Sequence, residues 1–168
     1  MNAKQLFALS GAAAIAGGLL RIFSAFPAIS DPVSLEWLYT TIDVLLLLGL
    51  IGIYLARAER LGFLGLASFA VGVAALSFIG GPDADPFGFS TYEQGAAALA
   101  IAMVGLSIAW LQRGERPIWA PLCWFGSVVC VGVLNFIPPL APYGFPLAGA
   151  LFGLGFVLAG ADLMRPRA

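Results

Sequence analysis

Six apolar runs, each broken from the next by a short polar or turn-forming segment, set the pattern of this chain. They cover 5–26, 35–55, 61–80, 92–111, 119–137 and 145–163. Each approaches the ~20 residues that a helix needs to cross ~30 Å of hydrocarbon. Helices are expected because backbone groups in lipid must be satisfied within their own segment. A transmembrane barrel would need alternating segments of about ten residues, and these runs do not alternate. The first run follows Lys4 in the manner of a secretory signal. It is longer than a signal's apolar stretch of about 7–15 residues, so it reads as the first spanning helix.

The breaks are of two kinds. Residues 56–60 and 112–116 are short and charged, and carry Arg57, Arg60, Arg113 and Arg116. Lys4, Arg165 and Arg167 fall on the same side. Residues 27–34, 81–90 and 138–144 are rich in Pro and Gly, hold Asp31, Asp83 and Asp85, and contain no Lys or Arg. Positive charge stays cytoplasmic. The pattern therefore predicts both termini inside, in a plasma (inner) membrane. Trp37 falls at the outer boundary, and Trp110 and Trp119 at the inner one, where aromatic belts form, and belt or packing roles are expected of all three.

The chain also aligns with itself. Leu-Ala-Arg-Ala-Glu-Arg at 55–60 matches Leu-Gln-Arg-Gly-Glu-Arg at 111–116, an offset of about 56 residues. The same offset aligns Pro-Phe-Gly-Phe at 86–89 with Pro-Tyr-Gly-Phe at 142–145. The first third fits more loosely, through Leu-Arg-Ile-Phe at 20–23, Leu-Ser-Phe-Ile at 76–79 and Leu-Asn-Phe-Ile at 134–137. The expected fold is an all-α integral membrane protein of six transmembrane helices, arranged as three tandem hairpins in a pseudo-threefold repeat. Residues 1–168 form one polytopic domain with units 5–60, 61–116 and 117–165. Parallel repeats place the symmetry axis along the membrane normal.

Composition sharpens this picture. Of 168 residues, 61% are hydrophobic and 10% charged, against roughly 25% charged in an average soluble domain. Only a bilayer accommodates that surface. The net charge of −1 gives nucleic acid no basic face. Twenty-one glycines let helices approach closely. Gly149 and Gly153 form a small-xxx-small face suited to packing inside the bundle or to dimerisation. Cys123 and Cys130 would lie about 10 Å apart along a helix, too far for a disulfide, and read as small buried residues.

Ionisable groups inside the runs are expensive in lipid and are the candidate chemistry. Arg21 lies about six residues from the outer end of the first run and Asp43 about eight residues into the second, roughly 9 and 12 Å deep. Pairing would offset much of their desolvation cost. Glu93 and Gln94 begin the fourth run, and Ser77 and Asn135 occupy the repeat positions of Arg21. These six residues predict a polar cluster in the outer half, either a site for a small solute or ion or one structural Arg21–Asp43 pair with the rest at the interface. Glu93 also fits a capping box with Ser90. With no histidine, no metal-spaced carboxylates and no nucleophile motif, catalysis is not expected, nor is a cofactor or metal. The alternative role is a non-catalytic accessory or assembly subunit of a larger membrane complex or homo-oligomer.

Overall fold

Asp31 opens its helix as an N-cap. Its carboxylate accepts from the Ser34 amide at 2.9 Å and the Ser34 hydroxyl at 2.6 Å, and Pro32 supplies a helix-ready φ at the first position. The two Ser34 bonds hold this carboxyl below the ordinary carboxylate range. Such local signals delimit six helices among the described residues of this computed structural model, which are 3–26, 29–79 and 90–165. They are α1 (Ala3–Phe23), α2 (Pro32–Leu55), α3 (Ala58–Ile79), α4 (Thr91–Gln112), α5 (Trp119–Leu134) and α6 (Ala141–Met164). No strand occurs among the described residues. Five of the helices are long and apolar enough to cross a membrane. The 86–89 half of the repeat match, with Asp83 and Asp85, lies outside the described residues.

Among the helix ends that differ from the runs, three have a clear local cause. The fifth run predicted a helix to 137, but α5 stops at Leu134. Its 16 residues span about 24 Å. The next amides, of Phe136 and Ile137, bond three residues back at 3.2 and 3.1 Å, a tightened last turn. Pro138 then disfavours the helical region for Ile137. Across the same turn, α6 begins at Ala141 rather than 145, because Pro142 sits in the first turn where its missing N–H costs nothing. Helix α3 starts inside the charged break, at Ala58, and is interrupted at Gly62. Gly62 has φ 64° and ψ −164°, a region that side chains with a Cβ avoid, and the Arg113 guanidinium lies over it.

Helices α1–α2, α3–α4 and α5–α6 pack as antiparallel hairpins, and α1 closes the ring against α6. The turns α2–α3 and α4–α5 carry the arginines and define a basic end. The α1–α6 seam is the most extensive interface, while α2–α3 and α4–α5 touch far less. It is built on glycine. A Cβ on Gly18 would sit 2.5 Å from the Gly153 carbonyl oxygen, and one on Gly160 would sit 2.7 Å from that of Gly11.

Between mid-bundle and the basic turns an aromatic cluster fills the core. The Trp110 and Trp124 rings meet edge-on with centroids 5.8 Å apart, and Trp124 meets Phe156 at 5.2 Å. Leu50, Ile53 and Leu106 pack around them. Trp110 is thus a core residue with 0% exposure, which is the packing rather than the belt role that its position allowed. Its ring is drawn inward by Arg57 and by a hydrogen bond from Nε1 to the Glu115 carbonyl, 3.0 Å. Trp37 and Trp119 are 70% and 64% exposed, as a belt requires.

Candidate functional site

Away from the basic end the packing opens into a cavity of about 450 Å³. Its walls come from α2 (Tyr39, Ile42, Asp43, Leu46), α4 (Tyr92 to Met103), α5 (Ser127 to Gly132) and α6 (Phe145 to Phe152), with Arg21 entering from α1. The space exists because α2 and α4 face each other without close backbone approach. Small residues on the α4 wall, Ala96, Ala97 and Ala100, widen it. The Trp110–Trp124–Phe156 cluster and Leu50 pack beyond Leu46, Met103 and Phe152, so the cavity has a closed floor near mid-bundle. The lining is mainly aliphatic and aromatic, with few polar groups, as small-molecule sites commonly are.

Of the six residues expected to cluster, the structure brings two together. Arg21 and Asp43 both line the cavity. Among the described residues they form no direct ion pair. The Arg21 guanidinium donates to Ser24 Oγ at 3.4 Å and lies against α6 at Gly149, where a Cβ would come within 3.5–3.7 Å of three of its atoms. The carboxylate of Asp43 is half-buried and accepts no hydrogen bond among the described residues.

The other four stand outside the cavity. Ser77 is exposed, and its hydroxyl donates to the Val73 carbonyl one turn back, 2.9 Å, which satisfies it within its own helix. Glu93 is exposed in the first turn of α4. Its amide donates to Ser90 Oγ at 3.2 Å, the capping reading of that segment. Gln94 is exposed beside it. Asn135 follows α5 and its side chain abuts Gly144. The repeat positions equivalent to Arg21 therefore do not extend the charged pair. Comparison with family models, with curated proteins and with solved structures finds no match.

A second polar cluster, absent from the sequence expectation, lies at the basic end. Arg57 is only 3% exposed. It pairs with Asp162 of α6, donates to the Arg116 carbonyl at 3.2 Å and the Ile53 carbonyl at 3.3 Å, and lies 4.0 Å above the Trp110 ring. Arg60 joins Glu115 at 2.9 and 3.1 Å on the surface beside it. The two matching segments, 55–60 and 111–116, thus face each other. The available signal was Asp162, an acid inside the last apolar run.

Proposed function

We propose that this protein binds or translocates a small solute through the cavity between α2, α4, α5 and α6. The observation that carries this reading is the placement of Arg21 and Asp43, opposite charges on helices of one hairpin, on the wall of one apolar cavity. Ionisable groups at membrane depth are costly and mark solute or ion pathways. The role is read as non-catalytic. Ser127, which shares the cavity lining with Tyr39 and Tyr92, donates its hydroxyl to its own helix at Trp124 O, 2.7 Å, and the sequence holds no histidine to activate it. The orientation follows the basic loops, with both termini cytoplasmic in the plasma membrane and the cavity facing outward. Within this reading the six helices are three tandem hairpins of a pseudo-threefold repeat. The matched segments around Arg57 and Arg113 support that, while the dominant α1–α6 seam makes the ring unequal.

One thiol-labelling series in intact cells tests orientation and cavity together, with Cys123 and Cys130 replaced by Ala. From outside, an impermeant maleimide should modify Ser30→Cys and leave Glu59→Cys untouched. A small charged methanethiosulfonate should reach Ala100→Cys. External labelling of Glu59→Cys would reverse the topology. An inert thiol at position 100 would mean a dry bundle and would favour the accessory-subunit reading.

A further inference from the structure

The chemistry of the cavity selects among solutes, on the premise that it binds one. Its two charged groups are of opposite sign, share one space and do not neutralise each other directly. Asp43 lacks a hydrogen-bond donor among the described residues, and Arg21 has one long bond to Ser24, 3.4 Å. A simple cation would gain Asp43 and meet the repulsion of Arg21. A simple anion would gain Arg21 and meet Asp43. Either would leave an unsatisfied charge against walls built from Ile42, Leu46, Met103 and Phe152, where such a charge is expensive. A molecule with an ammonium and a carboxylate side by side satisfies both and adds no net charge.

We infer that the ligand is a zwitterion with an apolar body, of the α-amino-acid class with a large aliphatic or aromatic side chain. Its carboxylate meets the Arg21 guanidinium, whose planar fork matches two carboxylate oxygens. The guanidinium rests beside Gly149, where an added Cβ would sit at ordinary van der Waals distance, 3.5–3.7 Å, so glycine there leaves the fork room on the α6 side. The ammonium donates to Asp43. The apolar side chain points down toward Leu46, Met103 and Phe152. A volume of about 450 Å³ falls within the roughly 300–1,000 Å³ of small-molecule sites and admits a side chain as large as an indole with bridging water.

Thermal-shift and calorimetric titrations on the full chain in detergent test this with four probes: leucine, phenylalanine, phenylalanine methyl ester and N-acetylphenylalanine. The first two keep both charges, the ester keeps only the ammonium, and the acetyl derivative keeps only the carboxylate. Leucine and phenylalanine should raise the melting temperature, and each single-charge analogue should bind about tenfold or more weaker, as loss of a charged hydrogen-bond partner implies. Asp43→Asn should erase the preference for phenylalanine over N-acetylphenylalanine, and Arg21→Gln the preference over the ester. If a variant fails to fold, the analogue series on the native chain decides alone. Equal binding of the ester or the acetyl derivative overturns the zwitterion and leaves a solute site standing. No binding by any probe also overturns it, and an unreactive Ala100→Cys in the same preparation would remove the solute site as well.

Discussion

Asp162→Asn should be among the most destabilising single substitutions in this chain. It leaves the Arg57 guanidinium, whose side chain is 2% exposed, buried without its counter-charge. Removal of one partner from a buried pair typically costs about 3–5 kcal/mol. Arg57→Met should cost less, because the carboxylate left behind is 24% exposed and can hydrate. The double variant Arg57→Met with Asp162→Leu should recover much of the loss, since an apolar pair of similar volume carries no desolvation penalty. Arg60→Ala is the internal control. Its side chain is 63% exposed, so losing the Glu115 pair should cost under about 1 kcal/mol. Unfolding in detergent, followed by circular dichroism, gives all four values. A native melting point for Asp162→Asn would dismiss the buried pair as a stabilising element.

Gly153→Leu should separate the first helix from the last. A Cβ at 153 already collides with the Gly18 carbonyl and comes 3.0 Å from Ile22 Cγ1. The opposing atom is backbone, which cannot rotate away, so the helices themselves must move apart. Overpacking of a fitted interior costs typically 1–3 kcal/mol, and a seam that loses close approach along two helices belongs at the upper end, about 3 kcal/mol. Gly132→Leu, whose Cβ meets nothing within 4 Å, should leave the melting point within about 0.5 kcal/mol of native. A Gly153→Leu protein that melts with the native one would mean that the seam does not hold the ring closed.

The apolar runs made the helices legible, because five elements of 21–24 residues announce themselves by length alone. Arg21 and Asp43 were legible for a related reason: a charge within such a run has few harmless explanations. Ser77, Glu93, Gln94 and Asn135 were drawn into the same site by depth along the chain. Depth fixes the height of a residue but not its azimuth, and these four point away from the cavity. Arg57 was read only as a topology charge, because it sits in a basic turn, and its buried pairing was not foreseen. Its burial comes from Asp162, 105 residues away, and from Trp110, a relation that no local window contains. The early end of α5 was written in Pro138, but the hydropathy of Phe136 and Ile137 outweighed it.

The glycine seam also makes the completion of this bundle wait on α6 during synthesis. Gly11 and Gly18 emerge with α1, whereas their counterparts Gly160 and Gly153 lie in α6. Until α6 has entered the bilayer, the small-residue face of α1 has only lipid or a stranger's helix to meet. A chain interrupted before Ala141 therefore displays an unmated adhesive stripe, the kind of exposed feature by which a membrane protease can tell an unfinished product from a finished one.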